Sequence, residues 1–332
     1  MVEKLCNESG NVSRETFPML FFPSQQINTK RENFMAKQNL NELATQKEFL
    51  QALTADNYRL LADYDPFTLS KALLSALGSN DGYVRDKLVY PIMAQIILAD
   101  FATYPLTGSQ REELLLTCLD QDHLFFHIGE VGMDSVFMRT FSSLIVAAIL
   151  FKDHQDPHIT EEVAGRALQA MLAYAQKERD FRGYLMGGKG WAHSIAHLAD
   201  ALDECAKNRF TTTAGYTTIL ETLTYLASLP EPLAYEEDER LAFVALGIIS
   251  RQSVDLASLQ SWIVSFAIVP TGDTLEDEGV ISYIRSLNAR NFLRSLYFQL
   301  QWIGMPAIAE QKIQLQAEID QVLQRLNKLP LE

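Results

Sequence analysis

From Leu40 onward, apolar residues return at helical spacing in one stripe after another, and the strict alternation that marks a β-strand is nearly absent. Leu40, Leu43, Phe49, Leu50 and Leu53 form one stripe. Phe67, Leu69, Leu73, Leu74 and Leu77 form the next, and Gly78 stops it. A helix is then predicted from Asn80-Asp81 through Val84-Arg85, Leu88, Ile92, Ile96 and Ile97, kinked at Pro91, which lacks a backbone donor. Asp134 is expected to cap a helix running to Leu150, and Thr160-Glu-Glu to open another reaching about Arg179. Further helices are predicted at about 190–207, 213–229, 236–250, 255–267, 280–302 and 306–328. The predicted fold class is all-α.

The helices opening at Asp81 and Asp134 share a local pattern: an Asp, then a β-branched residue and an Arg one to three places further on. They lie about fifty residues apart. Paired helices at that spacing, unable to bury their faces alone, stack into an α-solenoid of the HEAT or armadillo kind. One irregular helical bundle is the alternative. No Ser/Gly/Pro-rich linker divides the chain, so a single domain is expected from about Leu40 to Leu329.

Residues 1–34 carry scattered Asn, Ser and Pro without helical or strand periodicity. The run Lys30-Arg-Glu-Asn-Phe34 just before Met35 reads, in codons, as a purine-rich ribosome-binding site of a bacterial gene. This segment is therefore expected to be a disordered tail or a mis-called N-terminal extension, with translation starting at Met35.

Charge and composition exclude several classes. A formal charge of −14 opposes a phosphate backbone, and Lys and Arg are scattered, so nucleic acid is an unfavoured partner. The longest unbroken apolar run, Leu144 to Phe151, falls short of the roughly 18 residues a membrane span needs. The cluster Phe17 to Phe22 is broken by Pro18 and lacks the apolar core of a signal peptide. A cytoplasmic protein is expected. Cys6, Cys118 and Cys205 have no metal-ligand spacing and read as buried small hydrophobes. The acidic runs Glu236 to Glu239 and Glu276 to Glu278 read as solvated helix starts rather than cation sites.

The densest chemistry lies in Arg182-Gly-Tyr-Leu-Met-Gly-Gly-Lys-Gly-Trp-Ala-His-Ser-Ile-Ala-His-Leu-Ala-Asp200, which holds a glycine-rich basic loop, Trp191 and two of the six histidines. At about 100° per residue, His193, His197, Asp200 and Glu204 share one helical stripe. Histidines four apart can both reach one divalent metal, and Asp200 one turn on supplies an oxygen, so His193, His197 and Asp200 are candidate metal ligands. Ser194 stands where a helical zinc protease carries its Glu, which removes that activity. The plain alternative is that these side chains cap and brace neighbouring loops.

Gly183 to Lys189 has the spacing of a phosphate loop, but Gly190 replaces the magnesium-binding hydroxyl and no hydrophobic strand precedes it. What survives is an anion site at the start of the 190 helix, with Lys189 and Arg182 nearby. The competing reading is a tight turn that glycine permits. Glu130, Asp134, Ser135 and Arg139 form a third cluster one hairpin earlier. There, capping by Asp134 and an ordinary ion pair of Arg139 compete with a functional role. Among the other histidines, His127 is the better extra ligand because it sits beside Glu130. Trp191 reads as packing more readily than as a stacking platform.

Four segments in order resemble the uncharacterised bacterial family catalogued as domain of unknown function 2785. They are Asp122-His-Leu-Phe-Phe-His-Ile-Gly-Glu-Val-Gly-Met-Asp-Ser-Val-Phe-Met-Arg-Thr-Phe-Ser142, Arg182-Gly-Tyr184, Lys189-Gly-Trp-Ala-His-Ser-Ile-Ala-His-Leu-Ala-Asp200 and Asp238-Glu-Arg-Leu-Ala242. The likeness spans roughly residues 70–320, with Leu185-Met-Gly-Gly more glycine-rich than the pattern leads one to expect. It implies an all-helical, HEAT-like domain, and no activity, cofactor or catalytic residue.

Two functional classes follow. The first is a scaffold that holds a protein partner in a concave groove. The second is a small-ligand binder, for instance of a small anion, or a metal-dependent enzyme, with a pocket built from His193, His197, Asp200, Trp191, Lys189, Arg182, Glu130, Asp134 and Arg139.

Overall fold

The computed structural model describes residues 40–98, 105–268 and 277–327. The segment 1–34, expected to be a tail or extension, lies outside the described residues, as does Cys6. Thirteen α-helices are present among the described residues. They are α1 (Leu40–Leu43), α2 (Lys47–Tyr58), α3 (Pro66–Leu74), α4 (Tyr90–Leu98), α5 (Gly108–Cys118), α6 (Ser135–Gln155), α7 (Glu161–Lys177), α8 (Ser194–Lys207), α9 (Thr213–Leu226), α10 (Glu237–Ser250), α11 (Leu256–Ser265), α12 (Asp277–Trp302) and α13 (Ala309–Leu326). The all-α reading is correct. One departure is a two-stranded antiparallel hairpin between α7 and α8, β1 (Tyr184–Leu185) and β2 (Gly190–Trp191).

Local chemistry sets most helix starts. Thr160 accepts from the N–H of Val163 to open α7, and Thr107 and Gln110 form a reciprocal capping box on α5. Asp65 and Asp255 cap α3 and α11 by accepting from the N–H of Thr68 and of Ser258. Asp134 departs from expectation: its side chain makes no cap on α6. It accepts from Lys189 Nζ at 2.6 Å instead. The predicted kink at Pro91 also takes another form. A π-helical stretch, Tyr83–Val89, precedes α4, and Pro91 falls just after the hand-over to α-helix.

The described chain divides into two compact units, and the boundary lies between Ala201 and Leu202, inside α8. In the first unit, α6 is the central element and packs on α4 and α5, while α5 also packs on α7. Its length and hydropathy over Ser135–Gln155 would allow it to cross a membrane, yet 83% of its apolar 18-residue window is buried, as in a core helix. The unbroken run Leu144 to Phe151 underestimated it, because buried Ser142, Ser143 and Thr140 extend the helix by turning their hydroxyls onto its own carbonyls.

In the second unit, α10 packs on α12, α11 on α13 and α12 on α13. Phe266 stacks on Phe292 at 5.2 Å, and the Trp262 indole donates to Leu220 O at 2.8 Å. The acidic run that opens α10 is not simply solvated: Glu237 is buried and accepts from Tyr235 N, and Asp238 accepts from Ser295 Oγ. The side chains of the run at 276–278 lie outside the described residues. Cys118 and Cys205 are buried, and burial pushes both thiols up, which keeps them protonated.

Candidate functional site

The glycine-rich loop is the tip of the β-hairpin, with Tyr184 opposite Trp191 and Leu185 opposite Gly190. Gly187 and Gly188 turn the chain in left-handed backbone at φ of 74° and 82°. Leu185 faces inward on Val136, Phe137 and Ala192, so the paired Tyr184 and Trp191 take the outer face, their rings 5.0 Å apart. The phosphate-loop reading loses its geometry here, because the loop connects two strands instead of a strand to a helix. Lys189 spends its ammonium on Asp134.

Strands of two residues are too short to hold themselves, and Arg85 supplies the missing support. This arginine is fully buried in the π-helical stretch. Its guanidinium donates to the carbonyls of Ser79, Lys189 and Trp191, and Nε pairs with Asp86 at 2.9 Å. The rings of Phe137 and Phe141 lie 3.8 and 4.9 Å from its centre, a desolvated cation–π arrangement. Asp86 accepts in turn from Trp191 N at 3.2 Å. Burial pushes the Asp86 carboxyl up and the Arg85 guanidinium down, and each charge partly offsets the effect on the other. Gly82 N donates to Gly188 O at 2.8 Å. Contact is so close that a Cβ on Gly82 would meet the Lys189 backbone at 2.8 Å. Sequence reasoning missed Arg85 and Asp86 as site residues. The available signal was the shared Asp-to-Arg pattern of Asp81 and Asp134, because Arg139 behaves in the same way.

Arg139 is fully buried on α6 and grips Glu178 with Nε at 2.7 Å and a terminal nitrogen at 2.9 Å. Its other hydrogens go to the carbonyls of Phe126, His127 and Glu130 and to Ser135 Oγ. The whole 126–135 loop is thus wrapped on one guanidinium. Desolvation acts to lower the Arg139 pKa, but bonds and attraction from Glu178 more than reverse it, and the net shift is upward. Glu130 bonds to His127 at 3.0 Å and Ser135 at 2.7 Å, which holds its carboxyl below the usual range. Arg182 is clamped on buried Asp180 through two nitrogens and also donates to Met133 O. Asp180 further accepts from Gly132 N, so it joins the hairpin base to the same loop.

His193 is not in the first turn of a helix starting at 190. It stands just before α8 in left-handed backbone, φ 54°, an unusual place for a non-glycine residue. Its ring stacks on Trp191 at 4.7 Å and lies 5.7 Å from His197, which meets Phe141 edge-on at 5.1 Å. The aromatic run thus leads from the exposed Tyr184 and Trp191 down to the buried His197. Asp200 is half-buried on α8. Among the described residues no group of three or more His, Cys, Asp or Glu is placed to hold a metal ion, and the expected His193, His197 and Asp200 set is no exception. His193 itself stands before α8, outside the regular helix on which the stripe was drawn.

The family model described as "Protein of unknown function (DUF2785)" matches residues 124–298, more than half of the chain. The chain belongs to this family. No curated protein and no solved structure matches it. The match is narrower than the span of about 70–320 expected above. It takes in the Arg139 loop, the hairpin and α8, whereas Arg85 and Asp86 lie before it. The DUF2785 region therefore rests, through its hairpin, on a clamp from outside its own boundary.

Proposed function

We propose that this DUF2785 protein is a binding module that holds a protein partner against the surface around its hairpin. One observation carries the reading. Tyr83, Val131, Met133, Tyr184, Met186 and Trp191 are all exposed large hydrophobics, with Met186 at 83%. All six sit on or beside segments tied to the hairpin: Tyr83 follows the Gly82 bonded to Gly188, and Arg182 donates to Met133 O. Exposed Met, Tyr and Trp grouped on a rigid support are the composition of interface centres, and Met adapts to varied partners. The polar candidates point the same way, since Arg139, Arg182, Lys189 and Glu130 are engaged in bracing the loops.

A HEAT-like solenoid in the cytoplasm is the framework that we propose for this surface. Its support is the packing of alternate helices, α5 on α7, α10 on α12 and α11 on α13, as expected when hairpins stack in register. A concave groove would then continue the binding surface away from the hairpin.

A photo-crosslinking amino acid at position 186 tests the proposal in host cells, with the same group at exposed Leu60 as control. A discrete protein adduct at 186 and none at 60 is expected. Equal labelling at both positions, or none at 186, would overturn it.

A small-ligand site is the second reading, favoured by the left-handed His193 beside the π-helical stretch, two features that concentrate at functional sites. Thermal-shift screening with metabolite pools distinguishes it: a shift that vanishes in His193→Ala, with folding intact, would favour this reading over docking.

A further inference from the structure

The hairpin surface has a sign of charge as well as an apolar face. Of the arginines that build it, Arg85 and Arg139 are withdrawn from solvent completely, while Arg182, its side chain 32% exposed, is clamped on buried Asp180. Their partners Asp86, Glu178 and Asp180 are withdrawn with them, and two further carboxylates stay outside. Glu130 and Asp134, with side chains 41% and 37% exposed, bracket Val131 and Met133, which are 63% and 56% exposed. Glu130 is kept ionised by His127 and Ser135. Of the exposed lysines close to this surface, Lys189 and Lys47 are each already answered by a carboxylate, Asp134 and Asp81, and Lys87 stands beside Asp86. Around this patch lies a chain with a formal charge of −14.

Resting on the docking reading above, we propose that the partner presents a basic segment, in which Lys or Arg alternates with aliphatic or aromatic side chains. Its apolar side chains cover Met186, Met133 and Val131. Its cations face Glu130 and Asp134, and a guanidinium can lie against the exposed ring of Tyr184. Asp134 then exchanges or shares Lys189 with the incoming cation. The chain's negative field raises the encounter rate for such a segment and repels anionic lipid and nucleic acid. Exchange of a bridge at the rim, with the buried arginines left in place, lets the partner come and go without loss of the hairpin.

Selection from a library of random short peptides displayed on phage, against the full chain, tests the inference. Counter-selection uses Met133→Ser/Met186→Ser, two exposed positions whose change leaves the core intact. The expected pool is enriched in Lys and Arg, and its peptides bind about tenfold more weakly to Glu130→Gln/Asp134→Asn and lose affinity as salt is raised. A pool that depends on Met133 and Met186 but is neutral or acidic would overturn the basic segment and leave the docking surface standing. No enrichment over the counter-selected variant would overturn both.

Discussion

Arg139 and Glu178 meet through two parallel N–H···O bonds of 2.7 and 2.9 Å, and neither side chain reaches solvent. A pair so placed contributes little net stability over an apolar pair but is costly to break, because removal of one partner strands the other charge. Arg139→Met should therefore lose about 3–5 kcal/mol in chemical denaturation, and Arg139→Met/Glu178→Met should recover a large part of it. Equal losses in the single and double variants would show that the loop contacts of Arg139, not its charge, dominate.

The hairpin contains two kinds of glycine. Gly190 has φ 74°, and a Cβ there would meet Asp86 Oδ2 at 2.6 Å, whereas Gly187 has the same φ with nothing within 4 Å. Gly187→Ala should thus lose about 1 kcal/mol from backbone strain alone. Gly190→Ala adds a clash with the largely buried Asp86 carboxylate and should lose clearly more, with Trp191, already exposed at one side, quenched more strongly. Similar losses from the two would mean that the Asp86 contact yields easily.

Asp156 gives the pH dependence a testable sign. The hydrogen bond from Arg111 at 2.7 Å lowers its pKa below the ordinary 3.8. Its stabilisation is present above that value and lost as the pH falls through the lowered one. Asp156→Asn should melt below wild type near neutral pH, and the two curves should converge below about pH 3.8. The side chain is half-exposed, so the difference should stay within about 1 kcal/mol. A gap that persists in acid would assign the effect to the Asn itself.

Untagged protein should carry substoichiometric transition metal, because His193, His197 and Asp200 are not part of a ligand group of three. Elemental analysis beside His193→Ala/His197→Ala checks this. Stoichiometric metal that disappears in a folded variant would restore the metal reading.

The helices were legible because their causes are local. Stripe spacing, the Thr160 cap and the breaker at Gly78 act within one or two turns, and the chain folds accordingly. The stretch 182–200 also stood out by composition alone, and it holds the hairpin, Trp191 and both candidate histidines. The hairpin itself was not legible, since two-residue strands show no alternation. Tertiary structure decided it, through Arg85, whose bonds to the carbonyls of Lys189 and Trp191 cross more than a hundred residues. Another long-range contact took Asp134 from its cap to Lys189, and His193 stands in left-handed backbone before α8. Buried charge explains the difference. Apolar pattern selects which face of a helix turns inward, but a guanidinium without water must find several oxygens at once, and only the folded chain determines which loops supply them.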